Sequence, residues 1–367
     1  MSDPGSTDPT GAHLASIVDT ATLLVTCGPG GVGKTTSAAA LGIAAARRGR
    51  RVVVVTVDPA RRLADALGID VAKKMYEPHE VSGVGTNGGA LWALMLDAET
   101  TFDRLIIERA GDEAKAAKIL ANPVYRSIAG SLAGAQDYMA IERLHQLHSS
   151  GDYDLVIIDT PPSRDAIDLL EAPDRLIRFL GHPVYRALTI PTRSFARVAN
   201  AGTNAFLWVV RRLAGPRLVE DAIEFFRSLS GMEQGLRTRA GEVADLLRSD
   251  STSFVLVTSP RSEAIDESTH LANAILDGGF RLDGVVINLV HPLPPALDGL
   301  DDLADGPLAE HVAYHRELLA LATSERHEMV SLIDVVSGVD ITEVPLLEVD
   351  VHDIDGLTRL AALLVGD

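Results

Sequence analysis

Cys27-Gly28-Pro29-Gly30-Gly31-Val32-Gly33-Lys34-Thr35-Thr36 follows an apolar, β-branched run, Thr22–Cys27, and precedes an alanine-rich stretch, Ser37–Arg47. From Gly28 to Thr35 the residues fit G-x-x-x-x-G-K-[ST], and the flanks are those the pattern needs, a buried strand before and a helix after. Glycines at 28, 30, 31 and 33 allow backbone N–H groups to turn inward, and the dipole of the following helix adds positive potential at the same point. Such a turn is a phosphate cradle. Lys34 is expected on the β/γ-phosphates and the Thr35 hydroxyl on Mg2+, with Val32 and Thr36 in the same cradle.

Composition sets the bounds. A chain of 367 residues with 46% hydrophobic content supports a large core, as two or three domains or as one α/β domain with insertions. No apolar run approaches the roughly 18–20 residues of a membrane helix, so no integral span is expected. Met1–His13 has no basic or apolar segment of a signal peptide, and residues 1–18 are expected to form a disordered leader before a domain at 19–367. One cysteine, Cys27, fits a reducing, cytoplasmic setting and an inert place in the core. A net charge of −18 argues against nucleic acid or anionic membrane as the main partner.

Strand and helix patterns alternate along the chain, which predicts a parallel α/β sheet flanked by helices. The expected strands are Thr22–Cys27, Arg51–Val57, Leu91–Leu96, Leu155–Ile158, Ser253–Thr258, Gly284–Asn288 and Ile341–Val344, with loops at Ser82–Gly89 and Pro292–Gly306. Ala98–Gly151 and Ser163–Asp250 exceed the dozen or so residues a crossover needs. Both carry helical periodicity: Leu218, Ala222, Phe225, Phe226 and Leu229 share one face, and Leu236, Ala240, Val243 and Leu247 another. An inserted α-helical subdomain built from 98–151 and 163–250 is therefore expected.

Two apolar strands end in a carboxylate, where ligands gather in parallel sheets. Leu155-Val-Ile-Ile-Asp159 has the Walker B form, so Asp159 is expected to hold Mg2+ opposite Thr35. Asp58, after Val52–Val57, is the candidate for orienting or deprotonating an attacking water.

These motifs resemble the deviant Walker A ATPases, and within that class the ArsA/Get group, over most of the chain. Thr56-Val-Asp58-Pro59-Ala60-Arg61-Arg62-Leu63-Ala64-Asp65-Ala66-Leu67 is similar to that group's switch I, and Asp159-Thr-Pro-Pro-Ser-Arg-Asp-Ala-Ile-Asp-Leu-Leu170 to its switch II. Leu91-Trp-Ala-Leu-Met-Leu-Asp97 resembles a further motif of the group. The resemblance implies ATP with Mg2+, ATP hydrolysis, a homodimer or a heterodimer with a related ATPase, and a hydrophobic protein client. It also implies that Asn288 reads the adenine edge and that Pro345 and Leu346 cover the base.

Three features depart from the group. Pro29 stands where the signature lysine crosses to the partner's nucleotide, which implies slow hydrolysis by a homodimer unless Arg61, Arg62 or Arg164 substitutes, or pairing with a lysine-bearing relative. The lone cysteine does not supply thiolates for arsenite or zinc. The helical insertion Ser163–Asp250 has one methionine, Met232, where the group's client groove is often methionine-rich, and its apolar run Phe206–Val210 suits either a client groove or the subdomain's own core. His145/His148 and His311/His315 have helical spacing but no third ligand, and read as ordinary histidines.

Overall fold

The β-branched runs form the strands expected of them. In the computed structural model, which describes residues 11–57, 62–69, 77–96, 98–109, 112–122, 125, 133–182, 224–225, 233–297 and 306–366, eight strands make one sheet. They are β1 (Leu23–Cys27), β2 (Arg51–Thr56), β3 (His79–Glu80), β4 (Ala90–Met95), β5 (Leu155–Asp159), β6 (Thr252–Thr258), β7 (Leu282–Val290) and β8 (Asp340–Pro345). The order is β3-β4-β2-β5-β1-β6-β7-β8. All pairs are parallel except β3 with β4. The sequence did not signal β3, because two polar residues carry no alternation.

β1, β5 and β6 are buried at every position, as strands covered on both faces are. Side chains alternate between faces. Leu24, Val54, Ile157, Val255 and Val286 point into one core that also holds helices α1 (Ala12–Thr20), α2 (Lys34–Arg47) and the C-terminal helix Ile354–Val365. α2 lies close to the sheet because it is built from small residues: Ala38, Ala39, Ala40 and Ala44–Ala46 are all buried. At Gly42 a Cβ would meet Val54 Cγ2 at 2.6 Å and Leu91 Cδ1 at 3.1 Å.

One expectation is corrected. Residues 12–18, expected within a disordered leader over 1–18, lie in helix α1 (Ala12–Thr20). Leu14, Ile17 and Val18 recur at helical spacing and are buried against α2 and the C-terminal helix, so this face has a partner that composition alone did not reveal.

Four further helices are α3 (Arg62–Ala66), α4 (Ala98–Arg109), α5 (Glu113–Ala121) and α6 (Ala133–Ser149). They are followed by α7 (Ser163–Gly181), α8 (Glu233–Leu247), α9 (Ser262–Asp277), α10 (Ala309–Val335) and α11 (Ile354–Val365). Asp112 caps α5 by accepting from Lys115 N, and Asp353 caps α11 by accepting from Gly356 N, both at 2.7 Å. The chain divides into two compact units. Met1–Met95, Leu147–Ile167 and Arg248–Asp367 form the first, and Leu96–Gln146 with Asp168–Leu247 the second.

The described elements of the second unit are helical. Ile106, Ile119, Tyr125 and Phe225 make one of its small cores, and Tyr138, Met139, Ala172 and Ala240 another. Of the expected helix faces, Ala240, Val243 and Leu247 are buried in α8, and Phe225 is buried. Leu218, Ala222, Phe226, Leu229 and the run Phe206–Val210 lie outside the described residues. Among the described residues no helix is long and apolar enough to cross a membrane.

Close approach of α2 to the sheet predicts opposite outcomes for two helical glycines. Gly42→Val should lower the unfolding free energy by about 1–3 kcal/mol through overpacking. Gly241→Ala, in α8 with nothing within 4 Å of its added Cβ, should raise it by about 0.5–1 kcal/mol. Urea denaturation midpoints at constant slope would check both.

Candidate nucleotide site

β1 delivers the chain to the C-terminal edge of the sheet, and α2 starts seven residues later at Lys34. The turn between them needs glycine at two points. Gly28 has φ 149°, and a Cβ there would lie 1.9 Å from the carbonyl oxygen of Val257. Gly33 has φ 94°, and its Cβ would lie 2.4 Å from Asn288 Nδ2. A side chain at either place collides with the structure that supports the loop.

The loop opens on a cavity of about 290 Å3 lined by Gly30, Gly31, Gly33, Lys34, Thr35 and Thr36, together with Asp65, Ala66, Thr160, Pro162, Val351 and His352. Lys34 is 8% exposed, and its ammonium donates to the Pro29 carbonyl at 2.6 Å. The loop therefore holds a nearly buried cation against its own backbone, at the rim of a space bounded by glycine amides. That is a fit for phosphate.

Asp159 ends β5 and is 1% exposed. One of its oxygens, Oδ2, accepts from Thr35 Oγ1 at 2.7 Å and from Thr56 Oγ1 at 2.9 Å. A carboxylate beside the hydroxyl of the first helical turn is an all-oxygen donor set, which suits a hard divalent cation such as Mg2+. Neighbouring hydroxyls fix the strand ends: Thr26 Oγ1 donates to the Ile158 carbonyl at 3.0 Å, and Thr160 Oγ1 to the Thr26 carbonyl at 2.8 Å.

The remaining expected residues fall elsewhere. Asn288 sits under the loop, where Nδ2 donates to the Val32 carbonyl at 2.9 Å. Pro345 ends β8, and Leu346 N donates to the Val290 carbonyl at 2.9 Å while its side chain is exposed. None of the three lines the cavity. Asp58 and Arg61 lie outside the described residues, as do the side chains of Arg62 and Arg164. Cys27 is fully buried, and burial pushes its thiol up to about 12, with the Lys34 charge opposing.

A match across the chain accompanies this geometry: the sequence model of the anion-transporting ATPases fits residues 21–298. The chain belongs to the anion-transporting ATPase family. It is 24% identical over 351 residues to the putative arsenical pump-driving ATPase 1 of Aquifex aeolicus, spanning 94% of this chain and 79% of that one. ATPase GET3 of Malassezia globosa is 24% identical over 341 residues, 92% of this chain and 89% of its own length. The uncharacterized protein SCO2128 of Streptomyces coelicolor is 31% identical over 293 residues, 79% of this chain and 66% of its own. The family is one of ATPases, which accords with the phosphate cradle at the end of β1.

The histidine pairs do not converge. His145 accepts from the Arg239 guanidinium at 3.2 Å, while His148 Nε2 lies 2.9 Å from Thr22 Oγ1 and burial pushes its pKa down. Among the described residues no group of three or more His, Cys, Asp or Glu side chains is placed to hold a metal. Thr56 and Asp65 belong to the stretch that resembles switch I but were given no role by sequence reading, and Val351 and His352 were not picked out. The signals were the place of Thr56 and Asp65 in that stretch and, for Thr56, a hydroxyl at a strand end two residues before Asp58.

Two outcomes follow for this member of the ATPase family. Asn288→Ala removes the amide that supports Val32 and should weaken nucleotide binding about two- to tenfold by equilibrium titration, with the fold retained by circular dichroism. Cys27 should stay unreactive toward a thiol reagent in the native protein at pH 8 and react fully in urea.

Proposed function

We propose that this ATPase is an Mg-ATP-dependent dimeric switch of the ArsA/Get type, in which nucleotide state is coupled to a helical client- or partner-binding unit. The carrying observation is the convergence of Lys34, Thr35 and Asp159 at one glycine loop, each already held by a hydrogen bond. In this reading Lys34 exchanges the Pro29 carbonyl for phosphate oxygens and balances their charge. Thr35 and Asp159 hold Mg2+, which supplies further neutralisation of the β- and γ-phosphates. Asp58 orients, or takes a proton from, the attacking water. Glycine amides from Gly28 to Gly33 and the start of α2 complete the cradle, and Asn288, Pro345 and Leu346 bound the base side.

The setting proposed is the cytoplasm, with a hydrophobic protein segment as the client class. Arsenite is disfavoured because the sequence has one cysteine and that thiol is buried and protonated. Nucleic acid is disfavoured by the net charge of −18.

Pro29 supports a second reading of the assembly: a slowly hydrolysing nucleotide-binding subunit, paired with a related ATPase that supplies the missing cation. A cation given in trans to transferring phosphate is worth about 10³–10⁵ in rate.

Lys34→Ala should abolish retention of ATP on gel filtration; unchanged affinity would remove the nucleotide assignment. Asp58→Asn should leave ATP binding within about twofold of wild type and reduce single-turnover hydrolysis by about 10²-fold or more. Pro29→Lys should raise the steady-state turnover of the purified chain by about tenfold or more. Native mass spectrometry of untagged protein from its own cells would report nucleotide, stoichiometry and any second subunit together. A monomer without nucleotide would overturn the dimeric switch.

A further inference from the structure

Two hydroxyls meet on Asp159 Oδ2, and they come from different parts of the fold. Thr35 belongs to the first turn of α2, on the loop itself. Thr56 ends β2, is 2% exposed and lies directly across the parallel register from Asp159. Its Oγ1 donates to Oδ2 at 2.9 Å from a strand flanked on both sides, by β4 and β5. The neighbouring threonines use their hydroxyls differently. Thr26 and Thr160 donate to backbone carbonyls and thereby join β1 to β5. The Thr56 bond closes on a side chain that the loop also uses.

A strand-end aspartate keeps rotational freedom about χ1 and χ2 unless something holds its carboxylate. Thr35 does so from an element that also has to meet ligand. Thr56 does so from the sheet, independently of the loop. We propose that Thr56 is a positioning residue for the metal: from β2 it fixes the Asp159 carboxylate beside the Thr35 hydroxyl, so that the two oxygen donors stand ready together. The assignment rests on the nucleotide reading above and names a residue to which that reading gave no role. Preorganisation of this kind appears in the affinity for the cation, because the cost of ordering the carboxylate is met in folding and not in binding.

The test is a titration of Mg2+ into protein carrying a fluorescent ATP analogue, followed by its emission, with a parallel titration of the analogue in EDTA. Thr56→Val keeps the shape of the side chain and removes the hydroxyl. It should raise the half-saturating Mg2+ concentration about three- to tenfold while the metal-free affinity for the analogue stays within about twofold of wild type. Thr56→Ser should restore the wild-type value, and Thr26→Val should leave it unmoved. Thr56→Ala gives the same reading if valine disturbs the sheet. An unchanged Mg2+ midpoint in Thr56→Val, or an equal shift in Thr26→Val, overturns the assignment while leaving the nucleotide site intact. Failure of the wild-type protein to bind the analogue overturns both.

Discussion

The site depends on how closely α2 lies on the sheet. Its buried residues are alanine and glycine over most of its length, and α1 and α11 cover it from the other side. At Gly42 no Cβ fits without moving Val54 and Leu91. A helix clamped between two layers cannot tilt or slide without opening both. Its N-terminus is therefore fixed in space, and with it the backbone from which Lys34 and Thr35 project. The glycines of the loop supply curvature, but the helix supplies position.

The strand ends form a second rigid platform. Thr26, Thr160 and Thr56 tie β1, β5 and β2 together just where the sheet meets the cavity. Four residues beyond Asp159 the chain enters α7, most of which belongs to the helical unit. Covalent continuity of this kind supports the switch reading: a change in what Asp159 faces lies one short connection from the second unit.

Much of this was legible in the sequence, for identifiable reasons. Parallel strands buried on both faces read as continuous β-branched runs, so Val52–Val55 and Leu155–Ile158 announce themselves. The phosphate loop has a steric grammar, and Gly28 and Gly33 carry it. What stayed hidden depends on partners distant in sequence. α1 offers three apolar residues that acquire meaning against α2 and against α11, the latter more than 300 residues later in the chain. Asn288 reads as a base contact by resemblance, and the support that its amide also gives Val32 is a relation that no local pattern encodes. Val351 and His352 reach the cavity through loop geometry that hydrophobic periodicity does not describe.

The sheet order also governs how the protein comes into being. β1 lies between β5 and β6, and the loop that follows it rests on Asn288 from β7. The earliest signature in the chain thus acquires its neighbours last. At ribosomal speeds of about 5–20 residues/s, roughly 10–45 s separate the emergence of β1 from that of β6. Through that interval a strand buried at every position in the folded protein is without one of its two pairing partners. The strand that leads into the phosphate loop is thus completed only after more than 200 further residues have been made, which is the folding consequence of placing β1 between β5 and β6.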